Sequence, residues 1–230
     1  MTEPRVERLE GIEACVFDAY GTLFDFASAA ARVGELPEAK RDALTMLWRE
    51  KQLQYAWLRS LQGRHADFWR VSEDALDFAL ESLALARPGL KQRLMELYLS
   101  LDPFPEAPGV VSELRRRGLR AAILSNGSPA MLAALVQRAG LTEVFEAVLS
   151  VEAVGVFKPH PKVYQYALDA LSLPAHAIAF LSSNAWDAWA GSAFGMRVVW
   201  CNRPGAPRER LPGEPDFEIR TLAELPGLLA

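Results

Sequence analysis

Three apolar runs in this chain each break off into small polar or acidic residues, and that repeated ending limits the fold more than any other feature. Ala14-Cys15-Val16-Phe17 runs into Asp18-Ala19-Tyr20-Gly21-Thr22-Leu23, Ile123-Leu124 into Ser125-Asn126-Gly127, and Phe180-Leu181 into Ser182-Ser183-Asn184-Ala185-Trp186-Asp187. Short apolar runs bounded by turn residues read as buried strands. Strands that alternate with helical segments imply a mostly parallel sheet with right-handed crossovers. Ligands of such sheets gather beyond the carboxyl ends of the strands. Asp18 sits at such an end, where an aspartate can be a nucleophile. An aspartate before a glycine turn also serves as an ordinary turn or capping residue.

Strands are predicted near residues 12–18, 119–124, 146–149, 177–182, 197–200 and 217–219. Between the first two lies a helical block. Residues 38–61 carry Leu44, Leu47, Leu58 and Leu61, with Trp48, Leu53 and Trp57 between them. A second helix is predicted from Ser72 as N-cap, with Leu76, Ala79, Leu80 and Leu83 on one face. A third follows Pro88, with Leu90, Leu94, Leu97 and Leu101 in register. Pro103, Pro105 and Pro108 then forbid continuous helix and mark a stiff connector. Beyond it a helix over 109–117 stops at Gly118, and another starts at Ser128-Pro129 and ends at Gly140.

The predicted fold class is therefore α/β: a Rossmann-like, mostly parallel sheet core with an inserted helical cap subdomain. The core is expected over 1–24 and 106–230 and the cap over 25–105. The insertion leaves the sheet just after Asp18, at the edge where the polar endings converge. From there it can cover a site and exclude water.

Composition removes several classes of function. A formal net charge of -4 gives no reason to expect nucleic acid, and the basic run Arg115-Arg116-Arg117 sits at a helix end that favours cations. Two cysteines, Cys15 and Cys201, are too few for a disulfide framework and suit a reducing, cytoplasmic setting. Residues 1–11 have no signal-peptide core, and no apolar stretch reaches membrane-spanning length. His65, His160 and His176 are scattered and read as surface or loop residues without metal-ligand spacing.

Asp18, Ser125, the lysine of Lys158-Pro159, and the acidic segment ending at Asp187 come in the order of the haloacid dehalogenase superfamily motifs, spread over about 170 residues. Leu47-Trp48-Arg49, with Lys51-Gln52-Leu53 and Tyr55-Ala56-Trp57-Leu58-Arg59-Ser60-Leu61, is similar to the arginine-bearing helix of the L-2-haloacid dehalogenases. Ser125-Asn126-Gly127-Ser128-Pro129 and Ser182-Ser183-Asn184-Ala185-Trp186-Asp187 resemble that family's versions of their motifs. The resemblance runs from about Gly11 to Ile219.

It implies hydrolytic dehalogenation of an (S)-2-haloacid through an ester on Asp18, without cofactor or metal, by a homodimer. The partner is a small 2-haloalkanoic acid, not nucleic acid or membrane. Arg49 would stabilise the departing halide, since a planar guanidinium suits a diffuse anion. Lys158 would hold Asp18, and Thr22 would hydrogen-bond the same region. Tyr164, Ser182, Asn184 and Asp187 would organise Lys158 and the hydrolytic water. Ser125 and Asn126, with backbone N–H groups after Asp18, would bind the substrate carboxylate. Ala19, Tyr20, Leu53, Phe68 and Trp186 would line the pocket.

The alternatives are a magnesium-dependent small-molecule phosphatase of the same superfamily and a catalytically silent binding protein. Phosphatases of the superfamily generally carry a second aspartate two residues after the first; here that position is Tyr20. Asp18 and Asp187 alone make a weak magnesium site, so displacement at carbon is favoured. Two residues depart from the family's habit: Glu50 stands where glutamine is common, and Ala19 where a larger apolar residue is.

Overall fold

The computed structural model describes residues 8–26, 28, 32 and 36–230; most of the amino-terminal stretch and part of the segment after Phe26 lie outside the described residues. Among the described residues, one sheet is built from β1 (Ala14–Phe17), β2 (Arg120–Ser125), β3 (Ala147–Ser150), β4 (Ile178–Ser182), β5 (Arg197–Cys201) and β6 (Phe217–Ile219). The strand order is β3-β2-β1-β4-β5-β6, and every pairing is parallel. All of β1 is buried, as expected for a strand paired on both edges, and so its sequence shows no polar alternation.

The chain lays β2 and β3 on one side of β1 and β4 to β6 on the other. The order reverses at β1, which opens a crevice beyond the carboxyl ends there. Phe17 pairs with Ile123 and Leu181. Asp18 therefore emerges beside the polar endings of β2 and β4. The alternation of strands and helices predicted from the sequence is the one observed.

Among the described residues, three helices with defined bounds intervene between β1 and β2: α1 (Glu38–Leu61), α2 (Phe68–Ser82) and α3 (Leu90–Tyr98). The segments leading to and from them run side by side. Asp25 N–H donates to Asp102 O at 2.8 Å, Phe104 N–H to Leu23 O at 2.9 Å, and Phe24 bridges Pro103. Then come α4 (Ala107–Arg116), α5 (Pro129–Arg138), α6 (Pro161–Leu171), α7 (Ala185–Phe194) and the short α8 (Leu225–Leu228). Helix α4 starts at Ala107, two residues earlier than predicted, because Pro108 is tolerated in a first turn.

One sequence expectation fails inside the helical block, and the apolar positions of its first helix divide between core and surface. The buried stripe of α1 is Leu44, Trp48, Gln52 and Ala56, while Leu58 and Leu61 are exposed. At 3.6 residues per turn Leu61 falls opposite that stripe. Ser72 is not an N-cap. Asp67 takes that place by accepting Arg70 N–H at 3.0 Å, and Ser72 lies inside α2 with its hydroxyl donating to Phe68 O. Serine in a helix interior bonds back four residues in this way when no cap position is open to it.

The histidines lie in loops and at element ends. His65 precedes α2 and is tied to Glu152, His160 caps α6, and His176 sits in a single 3-10 turn. Cys15 and Cys201 are buried free thiols, and burial pushes the Cys15 thiol up to about 12. Among the described residues no helix is long and apolar enough to cross a membrane.

Candidate active site

Asp18 follows β1 directly, and its carboxylate is held by three side chains, one from its own turn and two from other segments. Lys158 Nζ lies 3.1 Å from Oδ1. Thr22 Oγ1 donates to Oδ2 at 3.0 Å, and Asn184 Nδ2 donates to the same oxygen at 2.8 Å. Among the described residues Oδ1 accepts only from Lys158. The Asp18 side chain keeps 8% of its surface open while that of Lys158 keeps 1%. A carboxylate fixed by donors at the tip of a rigid strand is preorganised to react.

Lys158 is clamped between two acids, with Asp187 Oδ2 at 2.8 Å on its other side. Burial alone would lower the Lys158 pKa, but attraction to Asp18 and Asp187 outweighs it and raises the pKa. The ammonium is therefore charged at neutral pH. Asp187 is fully buried; burial raises its pKa and Lys158 pulls the other way. Tyr164 donates its hydroxyl to Asp187 Oδ1 at 2.7 Å. Burial, and then the Asp187 charge, hold the Tyr164 pKa well above its ordinary value, so this phenol serves as a donor.

The loop after β4 is shaped by its own polar groups. Ser182 Oγ accepts Asn184 N–H at 3.2 Å, and Ser183 N–H donates to Thr22 Oγ1 at 2.8 Å. Thr22 thus receives one hydrogen bond and passes one to Asp18, as a hydroxyl can. Arg49 reaches the cluster from α1: Nη2 donates to Asn184 Oδ1 at 3.2 Å and Nη1 to Gln52 Oε1 at 2.8 Å. Its guanidinium also faces the Phe26 ring at 5.6 Å. Glu50 is exposed on α1.

The predicted pocket residues fall in two places. Ala19 is buried in the turn after Asp18, its carbonyl accepting Leu23 and Phe24 N–H groups. Tyr20 and Phe68 lie together, ring centroids 5.9 Å apart, and Phe68 N–H is anchored on Glu152 Oε1 at 3.1 Å. Leu53 sits one turn beyond Arg49, half-buried. Trp186 stands edge-on to Trp57 at 5.5 Å, at an apolar groove of about 830 Å³ that also meets Phe157, Pro159 and Tyr164. Ser125 Oγ accepts Gly127 N–H at 3.1 Å, and Asn126 Oδ1 accepts Lys158 N–H at 2.9 Å. Asn126 thereby sets the backbone from which Lys158 projects.

Several residues at this site escaped sequence reasoning. Tyr98 stacks on Tyr20 at 5.1 Å and 18°. Gly127 is required because a Cβ there would lie 2.9 Å from the Tyr20 ring. Gln52 and Ser72 are fully buried beneath Arg49. For Gln52 a signal existed: it continues the Leu44-Trp48 spacing of four, where a polar side chain must find buried partners.

Among the described residues no group of three or more His, Cys, Asp or Glu is placed to share a cation. The gap between Asp18 and Asp187 is filled by the Lys158 ammonium itself. Chemically, the cluster offers a held carboxylate nucleophile, two donors on its second oxygen, and a guanidinium aimed from the opposite element.

The haloacid dehalogenase-like hydrolase family profile matches residues 12–195. The chain is 42% identical over 222 residues to (S)-2-haloacid dehalogenase 1 of Pseudomonas sp. (strain CBS-3), covering 96% of this chain and 98% of that one. It is 44% identical over 215 residues to the (S)-2-haloacid dehalogenase of Pseudomonas sp. (strain YL), covering 93% of each. The structure of L-2-haloacid dehalogenase from Xanthobacter autotrophicus with chloropropionic acid covalently bound superposes with a TM-score of 0.85 at 38% identity, over 94% of this chain and 97% of that one. Full-length likeness of this order, together with the Asp18–Lys158–Asp187 arrangement, makes this chain a member of the (S)-2-haloacid dehalogenases within the haloacid dehalogenase-like hydrolases.

Proposed function

We propose that this protein hydrolyses (S)-2-haloacids to (R)-2-hydroxyacids through an ester on Asp18. The observation that carries this reading is the Asp18 carboxylate itself, held at the end of the central strand with Lys158 Nζ 3.1 Å away and the side chain of Tyr20, not an acid, two residues on. Two carboxylates, one ammonium and one guanidinium leave the cluster formally neutral, so an anionic substrate meets no net repulsion.

In the first step Asp18 Oδ1, whose lone pair is least engaged, attacks the α-carbon opposite the halogen. The carbon–oxygen bond forms as the carbon–halogen bond breaks, and the halide leaves with the bonding pair towards Arg49. Fixed donors at the site of developing charge are the largest single source of such stabilisation. In the second step water adds to Cγ of Asp18. Negative charge then develops on Oδ2, where Thr22 and Asn184 already donate. The water proton passes to Asp187, the acceptor of the Lys158–Tyr164–Asp187 group, with Ser182 shaping the loop, and the departing hydroxyacid oxygen takes a proton. The sum is haloacid plus water giving hydroxyacid, halide and a proton.

Ser125, Asn126 and the N–H groups after Asp18 bind the substrate carboxylate in this reading. Ala19, Tyr20, Leu53, Phe68 and Trp186 enclose its alkyl group and halogen. Residues 1–24 and 106–230 act as the catalytic core and 25–105 as the cap. The protein works as a cytoplasmic homodimer; the exposed Met46, Leu61 and Phe78 of the cap helices and the two free thiols support this.

The test is a single turnover of (S)-2-chloropropionate in oxygen-18 water with enzyme in excess. Ordinary oxygen in the first product, and heavy oxygen in the peptide containing Asp18, is the expected result. Heavy oxygen in the product with none on that peptide would make Asp18 a general base instead.

A further inference from the structure

Beneath Arg49 lies a buried polar chain that no step above has used. Gln52, Ser72 and Tyr98 are each 0% exposed, and they come from α1, α2 and α3 respectively. Gln52 Oε1 accepts from Arg49 Nη1 at 2.8 Å. Gln52 Nε2 donates to Ser72 Oγ at 2.6 Å and to the Tyr98 hydroxyl at 3.1 Å.

The direction of this chain is fixed by the supply of hydrogens. Ser72 has one hydroxyl hydrogen, and it goes to Phe68 O at 2.6 Å. Its oxygen can then only accept, so the amide nitrogen of Gln52 must face it. The second amide hydrogen goes to Tyr98. The amide oxygen is left pointing at Arg49 with no way to flip without burying an unmatched donor. Trp48 Nε1 donates to Ser72 O at 2.9 Å and steadies the same turn of α2. The chain also touches both pocket walls, because Ser72 bonds Phe68 and Tyr98 stacks on Tyr20.

We propose that Gln52 is a positioning residue for the halide-stabilising arginine: its oriented amide fixes the guanidinium of Arg49 and couples it to the pocket walls of α2 and α3. The inference rests on the haloacid reading for the identity of the anion. Arg49 keeps its charge without Gln52, but loses the bond that sets its plane. A wandering guanidinium serves a departing halide poorly, whereas hydrolysis of the ester draws its donors from Thr22 and Asn184 and meets Arg49 only through the Nη2 bond to Asn184, which Gln52 does not make.

Gln52→Met keeps the length and removes both amide functions. In single turnovers of (S)-2-chloropropionate it should slow ester formation roughly tenfold to a hundredfold, the worth of one hydrogen bond to a charged group. Ester hydrolysis should stay within about twofold of the parent. Bromide stabilisation against heat, which needs no turnover, should weaken by a factor similar to that for ester formation. Ser72→Ala retains Gln52 but frees its amide to turn, and should show the same selective pattern more weakly; it decides the matter if Gln52→Met does not fold. Unchanged ester formation and bromide binding in folded variants would overturn the proposal. So would equal slowing of both steps with a lower melting temperature, which would assign Gln52 to cap packing. A parent protein that binds bromide but forms no ester on Asp18 would instead sink the haloacid reading and leave the Gln52–Arg49 comparison intact. A parent that does not bind bromide would overturn the Gln52 proposal as well.

Discussion

Replacing Lys158 with methionine should convert a site that works across neutral pH into one that works only in alkali. Methionine fills the same slot but brings no charge. The ammonium lies 3.1 Å from Asp18 and 2.8 Å from Asp187. At an effective dielectric of about 20 these separations correspond to attractions of about 5 and about 6 kcal/mol. A carboxylate of ordinary pKa needs only about 4 kcal/mol to take up a proton at pH 7. The lost attraction exceeds that, so the two neighbouring carboxylates should share a proton at neutral pH, as like charges at close range do. The nucleophile is then mostly silent until the pH rises.

The surplus of about 1 to 2 kcal/mol corresponds to a loss of roughly tenfold in halide release at pH 7, deepening at lower pH and recovering towards pH 9 in a profile measured from pH 6 to 10. Stability gives a second readout with a definite sign. In the parent the raised Lys158 pKa means its contribution is complete below the unfolded lysine value of about 10.4 and is lost only as pH rises through the higher folded value. In the variant a buried carboxyl binds its proton more tightly folded than unfolded, so the melting temperature should fall between pH 6 and 9. A folded Lys158→Met protein with turnover near that of the parent and a flat pH profile would refute the electrostatic argument.

Arg49→Lys should lose about 2 to 4 kcal/mol of barrier stabilisation while melting normally, because an ammonium cannot hold both Gln52 and Asn184 as the planar fork does; parent-like halide release would place Arg49 outside the chemistry. Thr22→Val removes one donor from Asp18 Oδ2 and should slow ester hydrolysis roughly tenfold or more, so that the ester accumulates on the Asp18 peptide under mass spectrometry. Excess chelator should leave halide release unchanged; loss of activity that magnesium restores would bring the phosphatase-like alternative back. Pure (S)-2-chloropropionate should give (R)-lactate, since one displacement inverts the α-carbon and ester hydrolysis leaves it untouched, and a racemic product on chiral chromatography would contradict a single displacement.

What the sequence reveals here follows from how locally each feature is determined. Asp18, Ser125 and Ser182 were legible because a buried parallel strand must be apolar throughout, so its polar ending marks both the strand's limit and the edge of the crevice. Lys158, Tyr164 and Asp187 were reached only through the order of the motifs, since nothing near Lys158 in sequence announces that both its neighbours in space are acids. The one misplaced cap lies where a residue type serves two local purposes. Ser72 has the composition of a cap, yet Asp67 competes for the same helix and wins by standing where an orphan N–H is open. Apolar type alone does not say which face is covered: Leu58 and Leu61 are exposed, and the buried stripe runs through Leu44 and Trp48.

Gln52 is the instructive case, because its neighbours Lys51 and Gln54 make it look like part of a solvated face. Only its position four residues after Trp48 and four before Ala56 marks it as buried. A glutamine at a core position would cost more than a kilocalorie or so if its amide were unmatched, and a leucine would fit the apolar surroundings without that risk. Its presence there is explained by its partners, since its amide accepts from Arg49 and donates to Ser72 and Tyr98. A polar residue interrupting an apolar stripe is thus a pointer to a partner across the fold, and in this chain the partner is the arginine that faces the reacting carboxylate.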